Sequence, residues 1–243
     1  MIADGVRPPF PVTGLGAPAG RRTKAPPTWL RPSKVRSGQL NGPVRRRELN
    51  RPDDAARWNA LAERTRTAFV EHYVEDDGRI RSDAPTALRP RDLLRLLAGG
   101  VRATAGRRLA ELVAADSHRI ATGFAGTPYV TWALSGTGHV DDAYRLLLQQ
   151  QSPSWLYPVT MGATTTWERW DSMLPDGSIN SGEMTSFNHY ALGAVADWLY
   201  QVVTGIRPAG PGYSRLLLHP APGPGLDWAR GALDTRHGRV ECG

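Results

Sequence analysis

Apolar residues recur at three- and four-residue steps from position 55: Ala55, Trp58, Leu61, Ala62, Phe69 and Tyr73, with Thr65 on the same face. That period predicts an amphipathic helix of about five turns. Pro52-Asp53 starts it, with Asp53 or Asp54 at the positive end of the helix dipole, and Asp77-Gly78 is a turn signal that stops it. A second helix is predicted over 104–115, where Leu109, Leu112 and Val113 share a face. The segment between them, ALRPRDLLRLLAGG (87–100), is ambiguous, because Pro90 interrupts its pattern and Gly99-Gly100 ends it. Gly123, Gly126 and Pro128 predict a tight turn into a short helix over 129–135. Gly136 and Gly138 break that helix, and Asp141 starts another carrying Ala143, Leu146, Leu147 and Gln150. Further on, Thr185 or Ser186 is placed to cap a helix that buries Ala191, Ala194, Val195, Trp198, Leu199 and Val202. Gly205 closes it. Helices joined by glycine-rich loops, without βαβ alternation, predict a mainly α fold.

After Gly205 the pattern changes. RPAGPGYSRLLLHPAPGPG (207–225) is rich in Pro and Gly around a short run, Leu216 to His219, that suits a strand. Residues 226–241 alternate weakly and read as two more strands around a turn. Three short strands have unpaired edges and too little core to stand alone. The expected division is a disordered tail (1–51), a helical domain (52–205) and the start of a β domain (206–243).

Composition sharpens this division. The net charge of +7 over 243 residues is uneven. Residues 1–51 hold eleven Lys/Arg against Asp4 and Glu48, and the remainder is mildly acidic. A Pro-, Gly- and Arg-rich tail without periodicity cannot bury enough apolar surface to offset its ordering entropy. Such charge attracts nucleic acid only non-specifically, and Phe10 and Trp29 are its only aromatic residues, so nucleic acid is not an expected partner. No stretch approaches the roughly 20 apolar residues of a membrane helix. MIADGVRPPFPVTGLG has no charged n-region followed by an apolar one. The single cysteine, Cys242, forms no internal disulfide, which fits a cytoplasmic protein.

The candidate chemistry lies in SPSWLYPVTMGATTTWERWDSMLPDGSINSGEMTSFNHY (152–190), where Trp155, Tyr157, Trp167, Trp170, Phe187 and Tyr190 accompany one carboxylate, Glu168. Loops so rich in large rings usually line something. A flat ring beside an acid suits a sugar, whose apolar face stacks while polar groups hold its hydroxyls. The alternative is that the rings are core, Glu168 a solvated acid and His189 a satisfied helix-start histidine.

Four blocks carry a resemblance: TGFAGTPY (122–129), PSWLYPVTMGATTTWERWDS (153–172), SFNHYALGAVADWLY (186–200) and PGYSRLLLHPAPGPGLDWARGALDTRHGRV (211–240). Together they resemble the C-terminal part of bacterial α-L-rhamnosidases, glycoside hydrolases with a six-hairpin (α/α) toroid followed by a β-sandwich. The resemblance implies hydrolysis of terminal α-L-rhamnose with inversion, by a general acid on the leaving oxygen and a general base on water. Such carboxylates stand about 6.5–9.5 Å apart. It makes Glu168 the base and His189 a sugar contact, and sets Trp167 and the Gly123–Tyr129 turn, Tyr129 included, along the pocket. Trp155 and Trp170 are the further stacking candidates. Some members of the family need calcium, but no Asp/Glu/Asn cluster here assigns its ligands, and no other cofactor or metal is expected.

The departures are equally specific. The family's Asp-Cys-Pro segment and Gly-Trp-Thr-Gly-Asp segment, which supply the acid, do not occur in the 243 residues. About five or six helices are too few to close a twelve-helix toroid, and residues 1–51 and 87–100 lose the family pattern, as a shifted reading frame would make them. The expectation is an incomplete toroid: a truncated rhamnosidase with the base but not the acid, or a non-catalytic rhamnose-binding module. Asp171 and Glu183 are the acids within reach of recruitment.

Overall fold

A computed structural model describes residues 51–77, 79–81, 97 and 99–243. The tail (1–50) and most of the ambiguous 87–100 segment lie outside the described residues. Helix α1 spans Pro52–Tyr73, begins with proline in its first turn beside Asp53 and Asp54, and buries Ala55, Thr65 and Ala68. Asp54 pairs with Arg51 at 2.8 Å. After Tyr73 the chain turns at Asp77, whose carboxylate accepts the Arg79 N–H at 2.9 Å, so that Val74 and Ile80 face each other in a single antiparallel bridge.

Helix α2, Gly99–Ala115, starts five residues before the predicted Thr104. Gly99-Gly100 opens this helix. Its inner face, Ala105, Leu109, Ala110 and Val113, meets Val130, Ala133 and Leu134 of α3 (Thr127–Ser135) and Ala143, Tyr144, Leu146 and Leu147 of α4 (Val140–Leu148). Helices α3 and α4 pack closely across their glycine-broken connection. A short helix α5, Leu156–Thr160, follows, its Tyr157 N–H held by the Ser154 hydroxyl at 3.0 Å.

The last helical stretch departs from expectation. It starts at Ala191, as a 3-10 turn (Ala191–Ala194) running through one α-turn, α6 (Val195–Trp198), into a π-turn (Leu199–Val203). Ser186 does not cap it. Its hydroxyl accepts the Asn188 N–H at 3.2 Å instead. The buried residues are Leu192, Trp198, Val202 and Val203, while Ala194 is exposed. Each change of pitch rotates the face that looks inward, which a constant 3.6-residue period cannot follow.

Gly205 ends this stretch at φ +75°. A Cβ there would lie 2.1 Å from the Pro220 nitrogen, so both the backbone and the neighbour demand glycine. Four strands follow. β1 (Ile206–Pro208) pairs antiparallel with β2 (Leu216–Leu218), Ile206 opposite Leu218, and β3 (Gly231–Thr235) pairs antiparallel with β4 (Gly238–Cys242). β1 escaped prediction because it is three residues long and contains Pro208, which confines it to an edge. This segment is locked to the helices by Tyr144, whose hydroxyl donates to the Ala221 carbonyl at 2.8 Å. The chain can approach that ring because residue 223 is glycine; a Cβ there would sit 2.1 Å from the Tyr144 ring. No helix among the described residues is long and apolar enough to cross a membrane.

Candidate active site

Two segments that lack regular secondary structure lie side by side and carry the candidate residues. The Glu168 N–H donates to the Ser186 carbonyl at 2.8 Å, and the His189 N–H to the Thr166 carbonyl at 2.8 Å. Thr165 adds a hydroxyl bond to the Phe187 carbonyl. These bonds bring Glu168 and His189 together across 21 residues of sequence. The Ser186 N–H donates to Glu168 Oε2 at 3.2 Å, leaving Oε1 without a protein donor among the described residues. The Glu168 side chain is half-buried and has no cationic partner among the described residues.

The loop that returns the chain from Glu168 to Ser186 is braced by ion pairing. Arg169 grips Asp171 in two bonds, Nε to Oδ1 at 2.6 Å and Nη2 to Oδ2 at 3.1 Å, and reaches the Glu183 carbonyl at 3.2 Å. Asn180 donates to Asp171 Oδ2 at 3.0 Å and accepts the Gly182 N–H at 2.9 Å. Both oxygens of Asp171 are therefore engaged. Neither oxygen reaches a leaving group without giving up one of these bonds.

The rings divide into two groups. Trp167 is only 3% exposed and meets Phe187 edge-on at 5.1 Å. Trp155 and Trp170 meet edge-on at 5.9 Å and pack against the main core, and the Trp155 indole N–H is spent on the Leu192 carbonyl at 3.0 Å. Tyr157 is buried, its hydroxyl donating to the Met173 carbonyl at 2.9 Å. The second group looks outward. His189 stacks with Phe124 at 5.1 Å and with Tyr190 at 5.3 Å. Phe124 sits at the tip of the Gly123–Gly126 turn, which Thr127 fixes through hydroxyl bonds to the Thr122 and Gly123 carbonyls, both at 3.0 Å. Tyr129 is half-buried in the first turn of α3. Neither the Phe124–His189–Tyr190 stack nor the Ser186 donor was legible in the sequence, because both depend on contacts made by distant segments.

Burial pushes the Tyr157 phenol up from its ordinary pKa, and the nearby Asp171 and Asp176 add to the shift. Because the raised value belongs to the folded chain, the stability this phenol contributes is complete below the unfolded phenol's pKa of about 10. It is lost as pH rises through the higher folded value. Thermal melts followed by circular dichroism should therefore decline above about pH 10, and Tyr157→Phe should make that decline shallower. An unchanged alkaline decline in the variant would refute the assignment.

No group of three or more His, Cys, Asp or Glu able to hold a metal ion occurs among the described residues.

With this geometry in view, similarity to known proteins is specific. Residues 46–203 match the bacterial alpha-L-rhamnosidase 6 hairpin glycosidase domain, and residues 205–243 match the C-terminal domain of the same enzymes. The helical part is thus similar to a six-hairpin glycosidase domain and the strands after it to the domain that follows. It belongs to the bacterial α-L-rhamnosidase family. An α-L-rhamnosidase of Streptomyces avermitilis is 43% identical over 187 residues, which are 77% of this chain and 18% of the relative. One from Formosa agariphila is 34% identical over 196 residues, 79% of this chain and 21% of the relative. Among solved structures, the Aspergillus terreus enzyme superposes with a TM-score of 0.77 at 36% identity, over 82% of this chain and 23% of that one. The Streptomyces avermitilis enzyme complexed with L-rhamnose gives 0.75 at 41% identity, over 82% of this chain and 19% of that one. The chain spans about a fifth of the length of these relatives.

Proposed function

We propose that this chain carries the base side of an inverting α-L-rhamnosidase site, with Glu168 as general base and His189 as a contact to the sugar. One observation carries the reading: an ionisable carboxylate, held by one backbone donor and open on its other oxygen, stands beside an outward-facing histidine. The match to a relative solved with L-rhamnose supports the choice of sugar. In the proposed step Glu168 takes a proton from water as the water oxygen bonds to the anomeric carbon and the glycosidic C–O bond breaks. The leaving oxygen keeps the bonding electrons and takes its proton from an acid or from solvent. The Ser186 N–H fixes one carboxylate oxygen, so the other is the natural acceptor.

His189 Nδ1 accepts the Ala191 N–H at 3.3 Å, which places the ring proton of the neutral imidazole on Nε2. That N–H is the donor proposed for a rhamnose hydroxyl. Trp167 is assigned a backing role behind Glu168, and Trp155 and Trp170 the support of the 191–203 helix. Tyr129 completes the proposed wall on the α3 side. Residues 52–205 and 206–243 are proposed as the helical and β units.

A second reading has its own support. Since the chain has no Asp-Cys-Pro segment and Asp171 is engaged, the same residues serve equally as a rhamnose-binding module without turnover. Both readings require sugar binding. Titration of the chain with L-rhamnose, followed by tryptophan fluorescence, should saturate, and His189→Ala should weaken it roughly five- to tenfold, the worth of one hydrogen bond to a ligand. No saturable binding by a folded chain would contradict both.

A further inference from the structure

Glu168 Oε2 is held by a donor that stands 18 residues further along the chain, the Ser186 N–H. The peptide that carries this N–H joins Thr185 to Ser186. The bonds on its far side, from the Glu168 N–H to the Ser186 carbonyl and from the His189 N–H to the Thr166 carbonyl, belong to other peptides and do not aim it. Its direction is therefore set from upstream, through Glu183 and Met184. Met184 sits there at φ +60°, in a left-handed region that suits glycine and not a long side chain. A residue stays in such a conformation where its surroundings over-determine it.

The anchor upstream is Arg169, the residue next to Glu168. Its guanidinium gives Nε and Nη2 to the two oxygens of Asp171, at 2.6 and 3.1 Å, which leaves Nη1 to meet the Glu183 carbonyl at 3.2 Å. A planar fork gripped along one edge fixes the direction of its remaining nitrogen, which a single ammonium group cannot do. The chain runs so close that a Cβ at Gly182 would stand 2.8 Å from Nη1. Asn180 closes the frame, donating to Asp171 Oδ2 at 3.0 Å and accepting the Gly182 N–H at 2.9 Å. We infer that Arg169 and Asp171 are positioning residues for the proposed base. Through Glu183 and Met184 they aim the Ser186 N–H at Glu168 Oε2, and so decide which carboxylate oxygen is left to take a proton. This inference rests on the reading of Glu168 as base, and the two fail in different ways.

The test follows the Ser186 amide by nuclear magnetic resonance in the whole chain, with isotope labels on threonine carbonyl carbons and serine nitrogens. Thr185-Ser186 is the only Thr-Ser pair in the sequence, so these labels select one amide signal. In the unchanged chain that signal should move as acidification protonates Glu168, and in Glu168→Gln the movement should vanish. Arg169→Lys keeps the charge and loses the fork, while Asp171→Asn keeps the shape and loses an acceptor. Each variant, checked as folded by circular dichroism, should lose most of the movement. Undiminished movement in either folded variant would overturn the positioning role and leave the Glu168 reading standing. Loss of the fold by both variants would overturn it too, making the pair a support of the fold at large. No movement in the unchanged chain, or one that survives Glu168→Gln, would remove the Glu168–Ser186 contact and with it both the proposed base and its positioning.

Discussion

Trp198→Ala is expected to bring the chain to the edge of unfolding at room temperature. Trp198 is fully buried, meets Tyr144 edge-on at 5.4 Å and donates its indole N–H to the Ser135 hydroxyl at 2.9 Å. It thereby ties the 191–203 helical stretch to α3 and α4 at one point. Tyr144 in turn holds the segment after β2 through Ala221, so the loss spreads to that segment. Truncating a buried tryptophan to alanine costs about 3–5 kcal/mol through lost transfer energy and an unfilled cavity. Against a total stability of about 5–15 kcal/mol, that is between a fifth and the whole of it. Urea unfolding followed by circular dichroism should show a midpoint displaced by that amount with an unchanged slope. Trp198→Phe should cost less, because a ring still fills most of the space. A midpoint for Trp198→Ala close to that of the unchanged chain would refute the role given to this residue.

What the sequence disclosed depended on how local the determining physics was. Helices α3 and α4 were legible to within about two residues because glycines bracket α3 and precede α4 and their apolar spacing is regular, although Gln150 falls beyond the end of α4. Gly205 was legible as a terminator for the same reason, and its φ of +75° confirms it. The face of the last helical stretch was not legible, since Leu192 replaces Ala194 inside only when the pitch changes along the segment. Within the site, Glu168 stood out by its aromatic company and by resemblance. Within that company only Tyr157 and Trp167 are buried, while Trp155, Trp170 and Phe187 are half-buried and Tyr190 is exposed. Phe124 and Tyr190 were in view but unplaced, because only the fold brings residue 124 to residue 189. Asp171 illustrates the converse error: it looked recruitable as an acid until Arg169 and Asn180 were seen to occupy both its oxygens.

The second large effect is expected at Glu168 and is chemical. Replacing its carboxylate by an amide keeps the size and the Ser186 contact but removes the proton acceptor, and loss of a general base lowers rate by about 10²–10⁴. A substrate must be chosen that leaves this step visible without the acid segment. A dinitrophenyl α-L-rhamnoside suits, because its leaving phenolate departs without being protonated, so the base alone governs the rate. Alkyl rhamnosides, whose leaving oxygen needs a proton, should remain uncleaved by the same chain. The most direct test of the account is therefore hydrolysis of the dinitrophenyl rhamnoside by the purified chain beside its Glu168→Gln variant, both checked as folded by circular dichroism. The account predicts slow turnover that falls by at least about 10² in the variant. Equal rates from the two chains, or none above buffer from either, would contradict Glu168 as a working base.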